Sequence, residues 1–435
     1  MARSRMHLAW FTNFTVDEWN APFASGGSPW TGEFYVDMAK SMERACFDYI
    51  MLEDTLMLSE AYGGSTDAYL KTATMAPKHD PAPLAALIGA ATSHMGVVAT
   101  LSTLGYPPFL LARLCATIDH ISRGRFGWNI VTSGENAAAQ NFGLDELPPR
   151  EVRYDMADEY LDLVCRLFDS WDPDAVVIDR DRNTYARAGS VKPIDFVGKF
   201  FKCRGPLNTV RSPQGRPTFV QAGGSPRGRE FAACHADSII AVANGIEGMK
   251  WYRDDVRHRA AKAGRNPDDI KVLFLVAPIL GETEAAAHER AERELTSEAH
   301  VERALALYSS ITDIDFATFD LDQPLPGKLT TNGEQGSLDK FQQFGSGKTL
   351  RQLVREGGNS TSIELVGTPD QVAERMGEVM EIVGGDGFLI KAPFHRVSRH
   401  YVAEVCDGLV PALQRRGLAR TEYTKTTLRE TLREF

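Results

Sequence analysis

The sequence predicts an α/β chain folded as a closed (β/α)8 TIM barrel with insertions. Three observations point there. Eight short apolar runs alternate with helical periodicities along 435 residues, the alternation that builds a parallel sheet wrapped in helices. Several of those runs end abruptly in small hydrogen-bonding residues, as barrel strands do at the carboxyl ends where such folds keep their chemistry. The length also fits, since these barrels run to about 250 residues and exceed 400 with insertions.

Taken in order, His7–Thr12 is the first strand and residues 13–30 are a loop rich in Gly, Pro and aromatic residues. A helix over Phe34–Ala45 leads to the second strand, Tyr49–Leu52, which closes on Glu53 and Asp54. A long loop to Pro81 precedes a helix through Ser93 and the third strand, Gly96–Leu101. The helix after Pro108 stops at Gly124, and Phe126–Val131 is the fourth strand. Asn129 stands between Trp128 and Ile130, where a buried strand normally carries an aliphatic side chain, so its amide needs partners.

Glu151–Asp169 reads as a strong amphipathic helix. Residues 171–216 break the rhythm and read as an insertion with a hairpin around Phe196–Cys203. Strand five is Pro217–Gln221, and Ser225-Pro226 then opens a helix as N-cap and first helical residue. Asp237–Val242 is strand six, Lys271–Leu280 strand seven and Gly387–Lys391 strand eight. Residues 300–362 are the least regular stretch, with few apolar anchors, and a loop of such length is usually a lid, a binding segment or disordered; a lid is expected here. Residues 1–420 are expected to form one barrel domain, and the charged tail 421–435 to sit at its periphery.

Composition limits the function. Net charge is −10 with 24% charged residues, and no basic stripe points to nucleic acid. No apolar run approaches the roughly 20 residues of a membrane span. The six cysteines form no Cys-x-x-Cys pair, and the nearest two, Cys203 and Cys234, are 31 residues apart. That spacing disfavours a zinc ribbon and fits a reducing, cytoplasmic setting. His-Glu-x-x-His, Gly-x-Ser-x-Gly and Gly-x-Gly-x-x-Gly are absent, which argues against a zinc hydrolase, a nucleophile-elbow hydrolase and a nicotinamide fold.

Polar exits converge on one end of the expected barrel: Asp54 after strand two, Thr100 on strand three, Asn129 and Ser133 on strand four, and Gln221 to Ser225 after strand five. Ala222-Gly223-Gly224-Ser225-Pro226 is the clearest anion site, because two glycines admit close backbone approach and the helix amides can donate to phosphate. A plain capped helix start has the same pattern. Lys78-His79-Asp80 and His395-Arg396 are weaker acid–base candidates, and Phe344-Gly345-Ser346-Gly347-Lys348 lacks the spacing of a phosphate loop. The aromatics Trp10, Phe11, Phe14, Trp19, Phe23 and Trp30 suit either an apolar substrate cavity or core packing.

The stretch Gly124-Arg-Phe-Gly-Trp-Asn-Ile-Val-Thr-Ser133 resembles the signature of flavin-dependent monooxygenases of the nitrilotriacetate, dibenzothiophene-sulfone and long-chain alkane monooxygenase type, a branch of the bacterial-luciferase-like proteins. The likeness continues through Asn141-Phe142-Gly143, Arg153-Tyr154-Asp155, Gln221-Ala222-Gly223, Arg227-Gly228-Arg229-Glu230-Phe231-Ala232 and Pro411 to Leu418. It implies a luciferase-like barrel that takes reduced FMN from a separate NAD(P)H:flavin reductase and uses O2 to oxygenate a small organic substrate. It implies flavin contacts from Asp54, Thr100, Asn129 and Ser133, and phosphate contacts from Tyr154, Ala222, Gly223, Gly224 and Ser225. Arg150 stands where the family commonly has His, and an arginine can hold phosphate there. A homo-oligomer is expected. A deazaflavin- or flavin-dependent hydride-transfer enzyme and a non-catalytic flavin-binding protein remain the alternatives, and no catalytic residue is assigned.

Overall fold

A computed structural model describes residues 5–12, 19, 30–345, 347–356, 361–395 and 397–435, with the His395 side chain left out. Strands β1 (His7–Phe11), β2 (Tyr49–Leu52), β3 (Gly96–Ser102), β4 (Phe126–Val131), β5 (Thr218–Ala222), β6 (Ser238–Ala241), β7 (Lys271–Val276) and β8 (Gly387–Lys391) close into a barrel in sequence order. Every neighbouring pair is parallel, and β8 closes on β1 with Phe11 opposite Lys391.

The strands read as continuous apolar runs because both of their faces are covered. Inward side chains such as Ala9, Tyr49, Val98, Val220, Ile240, Leu273 and Leu389 fill the barrel as one cluster. Their outward neighbours, Trp10, Ile50, Trp128, Phe219, Phe274 and Phe388 among them, pack against the helical ring. Trp10 belongs to this outer layer, packed against Phe47 and Tyr401, and among the described residues of the aromatic series only Phe11 turns into the barrel mouth. Phe14 and Phe23 lie outside the described residues, and Trp19 and Trp30 are exposed.

Three expectations change. Strand seven ends at Val276, and Ile279–Leu280 pairs instead with Val366–Gly367. The segment read as irregular carries three helices, at Glu298–Thr312, Gln335–Phe344 and Leu350–Arg355. Its anchors are Leu305, Tyr308, Phe316, Leu338, Phe341 and Leu353, which form a satellite apolar cluster. They recur at helical spacing but are separated by Gly, Pro and polar residues that mask the period in sequence. The hairpin at Phe196–Val197 and Lys202–Cys203 forms as expected.

The third change concerns the tail. Residues expected at the periphery plug the amino-terminal end of the barrel, where Leu428 and Leu432 join the inner cluster. Gly96 makes room for them, since a Cβ there would lie 2.5 Å from Leu428 Cδ1. Charges surround the plug in pairs: Arg420 donates to Asp48 at 2.7 Å and to Glu434 at 2.6 Å, and Arg429 donates to the Gln214 and Pro217 carbonyls. The tail's charge pattern hid two core leucines.

Candidate active site

All ten residues singled out from the sequence line one cavity of about 360 Å³ at the carboxyl end of the barrel: Asp54, Thr100, Asn129, Ser133, Arg150, Tyr154, Ala222, Gly223, Gly224 and Ser225. They come from β2, β3, β4, β5 and the helix Arg150–Phe168, so only closure of the barrel brings them together.

Alternation along β3 and β4 turns Thr100 and Asn129 inward, side by side in register. Asn129 is 2% exposed, and its amide nitrogen donates to Thr100 Oγ1 at 2.9 Å. The Asn129 Oδ1 and Gln221 Oε1 atoms are buried and have no hydrogen-bond partner among the described residues. Buried acceptors of this kind are rare unless a ligand or solvent satisfies them. Ser133 follows β4 in a left-handed conformation, φ 58°, and shares a hydrogen bond of 2.7 Å with Ser102.

The turn Gly223–Ser225 is built for close approach. A Cβ on Gly223 would stand 2.6 Å from the Gly228 carbonyl oxygen. Behind the turn, Tyr252 donates to the Gly223 carbonyl, and Arg229 donates to the Gly224 carbonyl at 2.6 Å while bound to Asp255. Ser225 caps the helix Pro226–His235, its Oγ accepting from the Gly228 amide at 3.0 Å. The amides of Gly224 and Ser225 have no acceptor among the described residues. Tyr154 reaches the same corner, its hydroxyl 2.8 Å from where a Cβ on Gly228 would stand, and burial pushes its phenol up.

The helix Gln335–Phe344 closes over this turn. A Cβ on Gly336 would lie 3.3 Å from the Ser225 nitrogen, and one on Gly224 would lie 3.6 Å from Lys340 Nζ. Lys340 donates to the Val242 carbonyl, and burial lowers its ammonium to about 8. Arg150 borders the same side and is held at its backbone by Asn332 Oδ1 at 3.2 Å. The segment 300–362 therefore folds toward the face that carries Asp54, Asn129 and Ser225.

Asp54 and Glu135 sit half-buried in the cavity wall. Burial raises each carboxyl to about 7, with Lys78 opposing the shift at Asp54. Glu53 beside Asp54 is tied to Lys78 at 2.6 Å. Lys78 thus serves an ion pair, and Asp80 caps the helix Pro81–Ala91. His79 packs against Trp30 and Tyr35. Arg396 and the His395 side chain lie outside the described residues.

Sequence reasoning missed Glu135, Lys340 and Lys391. Lys391 was legible as a charged residue ending an apolar strand. Lys340 carried no signal, because only the return of the insertion over the barrel brings it to the site.

Comparison with known proteins agrees with this geometry. A luciferase-like monooxygenase family model matches residues 6–386. The chain is 37% identical over 410 residues to dibenzothiophene-sulfone monooxygenase of Rhodococcus erythropolis, spanning 92% of this chain and 90% of that one. The structure of DmoA from Hyphomicrobium sulfonivorans superposes with TM-score 0.89 at 32% identity, over 99% of this chain and 93% of the other. A riboflavin lyase solved with modified FMN and riboflavin superposes with TM-score 0.88 at 30% identity, over 99% and 96% of the two chains. Barrel, mouth and sequence together place the chain in the luciferase-like monooxygenase family, as a flavin-dependent oxidoreductase.

Proposed function

We propose that the chain binds reduced FMN delivered by a separate flavin reductase and oxygenates a small organic substrate in the same cavity. The carrying observation is the Gly223–Ser225 turn, with two amides free, a capped helix behind them and the Tyr154 hydroxyl beside them. Such a helix N-terminus favours an anion, and the glycines let a phosphate come within hydrogen-bonding reach. The closed end favours one phosphate over a dinucleotide, since Gly336 and Lys340 cover the turn. The modified FMN in the riboflavin lyase relative supports the same choice.

The orphaned acceptor Asn129 Oδ1, turned inward on β4, fits an N–H donor of a flavin. Reduced FMN, when bound, supplies the two electrons that let one atom of dioxygen enter the substrate while the other leaves as water. The chain's own task is to bind, orient and exclude solvent. Phe11, Met51, Ile240 and Leu275 give the mouth an apolar side on which an organic substrate can lie. The helix Gln335–Phe344 covers the phosphate end and limits access of water. Burial raises the Asp54 carboxyl to about 7, a range in which a carboxyl can exchange a proton.

Titration of the purified protein with FMN and FAD in both redox states tests the cofactor, and tighter binding of FAD would overturn the reading. Steady-state assays test the electron source. The protein alone should oxidise NADH or NADPH slowly, and an unrelated flavin reductase should restore substrate-dependent oxygen uptake. Rapid NADH consumption without a reductase would overturn the two-component reading.

A further inference from the structure

Lys391 has no counterpart in the chemistry described so far. It is the last residue of β8, it is 7% exposed, and it borders the cavity. Leu389, two residues earlier, lies in the cluster that fills the barrel, so alternation turns Lys391 inward as well, one step higher and into the mouth. Phe11 stands opposite it in register on β1, and Ile240 and Leu275 share the cavity wall on that side.

Its ammonium has no hydrogen-bond or ion-pair partner among the described residues. Among the described residues no charged side chain acts on it either: burial lowers it, to about 8. The titratable residues of the adjoining strands, His7 on β1 and Lys271 on β7, sit at the other end of the barrel. Three other buried or half-buried cations among the described residues have partners. Arg125 donates to the carbonyls of Gly89, Thr92 and Met95, and Lys271 to that of Phe435. Lys78 is paired with Glu53. Lys391 therefore presents its ammonium to the cavity with no protein group among the described residues to pair it. A ligand anion would pair it.

Strand order says which ligand. The cofactor turn follows β5, Asp54 follows β2, and Thr100 and Asn129 belong to β3 and β4. Lys391 is on β8, across the barrel from β4. A flavin held along β2 to β5 leaves the side of β6, β7, β8 and β1 for the substrate.

We propose that Lys391 anchors the substrate, and that the substrate is an organic oxyanion whose carboxylate or sulfonate meets Lys391 Nζ while its apolar body lies against Phe11, Ile240 and Leu275. This rests on the reading of the mouth as a flavin monooxygenase site. Lys391 is a specificity residue in this scheme; it binds and orients, and takes no part in electron transfer.

Calorimetric titration tests it with two carboxylates, benzoate and octanoate, and their neutral amides, benzamide and octanamide. Wild type, Lys391→Met and Lys391→Arg are each titrated with and without FMN. At pH 7 wild type should bind at least one carboxylate tenfold or more tightly than its amide. That preference should fall as pH rises through about 8, because the lysine loses its charge there. Lys391→Met should abolish the preference and Lys391→Arg should keep most of it, while FMN affinity changes less than twofold in both. Lys391→Met removes an unpaired buried charge, so its melting temperature should equal or exceed that of wild type. Absence of the preference in wild type, or its persistence in Lys391→Met, would overturn the proposal. So would a tenfold loss of FMN affinity in Lys391→Met with carboxylate binding intact, which would place the lysine on the flavin. Carboxylate preference without FMN binding would sink the cofactor reading and leave this one standing; FMN binding without carboxylate preference would do the reverse.

Discussion

Ser225 does two things with one hydroxyl: it caps the helix Pro226–His235 through the Gly228 amide, and it meets Tyr154 at the mouth of the phosphate turn. Aspartate is as good a cap as serine, so Ser225→Asp should keep the fold while setting a carboxylate against phosphate. We expect FMN affinity to fall at least tenfold with an unchanged melting temperature; undiminished affinity would remove the turn from the site. Glu135 makes a second single-residue case, in pH. Its carboxyl is raised by burial to about 7 from an ordinary value near 4.5. The folded state therefore holds its proton more tightly than the unfolded chain does. Stability from this group is fully present below about pH 4 and is lost as pH rises through about 7. Glu135→Gln should accordingly stabilise the flavin-free protein by about 1 kcal/mol at pH 8 and by little at pH 4. Thermal melts at the two pH values check it, and an equal gain at both would refute the assignment.

At the scale of elements, the helix Gln335–Phe344 joins the barrel to the insertion. Its outer anchors, Leu338 and Phe341, are fully buried in the satellite cluster, with Phe341 4.2 Å from Tyr308 and 5.4 Å from Phe316 between ring centroids. Its inner face carries Gly336 and Lys340 to the phosphate turn. Loosening the outer face should therefore open the inner one. Phe341→Ala should cost about 3 kcal/mol, the usual size for a buried phenylalanine, and the loss should fall on the insertion more than on the barrel. We expect limited proteolysis between residues 330 and 348 to speed up, FMN to slow it in wild type, and hydrogen peroxide release per NADH to rise in the reductase-coupled assay. Cleavage that ignores both the substitution and FMN would mean that the helix does not gate the site.

For the molecule as a whole, the two ends of the barrel do different work. The carboxyl end holds the cavity, with Asp54, Asn129, Ser225 and Lys391 around it. The amino end is sealed by the tail, whose Leu428 is 1% exposed, by the buried ion pair of Arg420 with Asp48 and by the half-buried pair of Arg216 with Asp237. This division separates stability from binding. Leu428→Ala should lower unfolding stability by about 3 kcal/mol, a core-cavity cost, while FMN affinity stays within twofold of wild type. Urea denaturation and flavin titration on the same preparation check both halves. A small stability change would return the tail to the periphery.

The eight strands were readable because burial on both faces leaves continuous apolar runs, and chain order then gave strand order. The phosphate turn was readable because its glycines, cap and proline are contiguous. Asn129 drew attention as an amide inside an apolar strand, and the structure supplied its partner, Thr100. What the sequence by itself determined is therefore whatever local chemistry or periodicity records. Only the tertiary structure decided that Lys340 returns to the turn, that Glu135 lies in the cavity wall, that Lys391 borders the mouth without a partner among the described residues, and that Leu428 plugs the far end. Each depends on which residues distant in the chain become neighbours when the barrel closes. Desolvation and unmet charge arise from that closure, so no local pattern carries them.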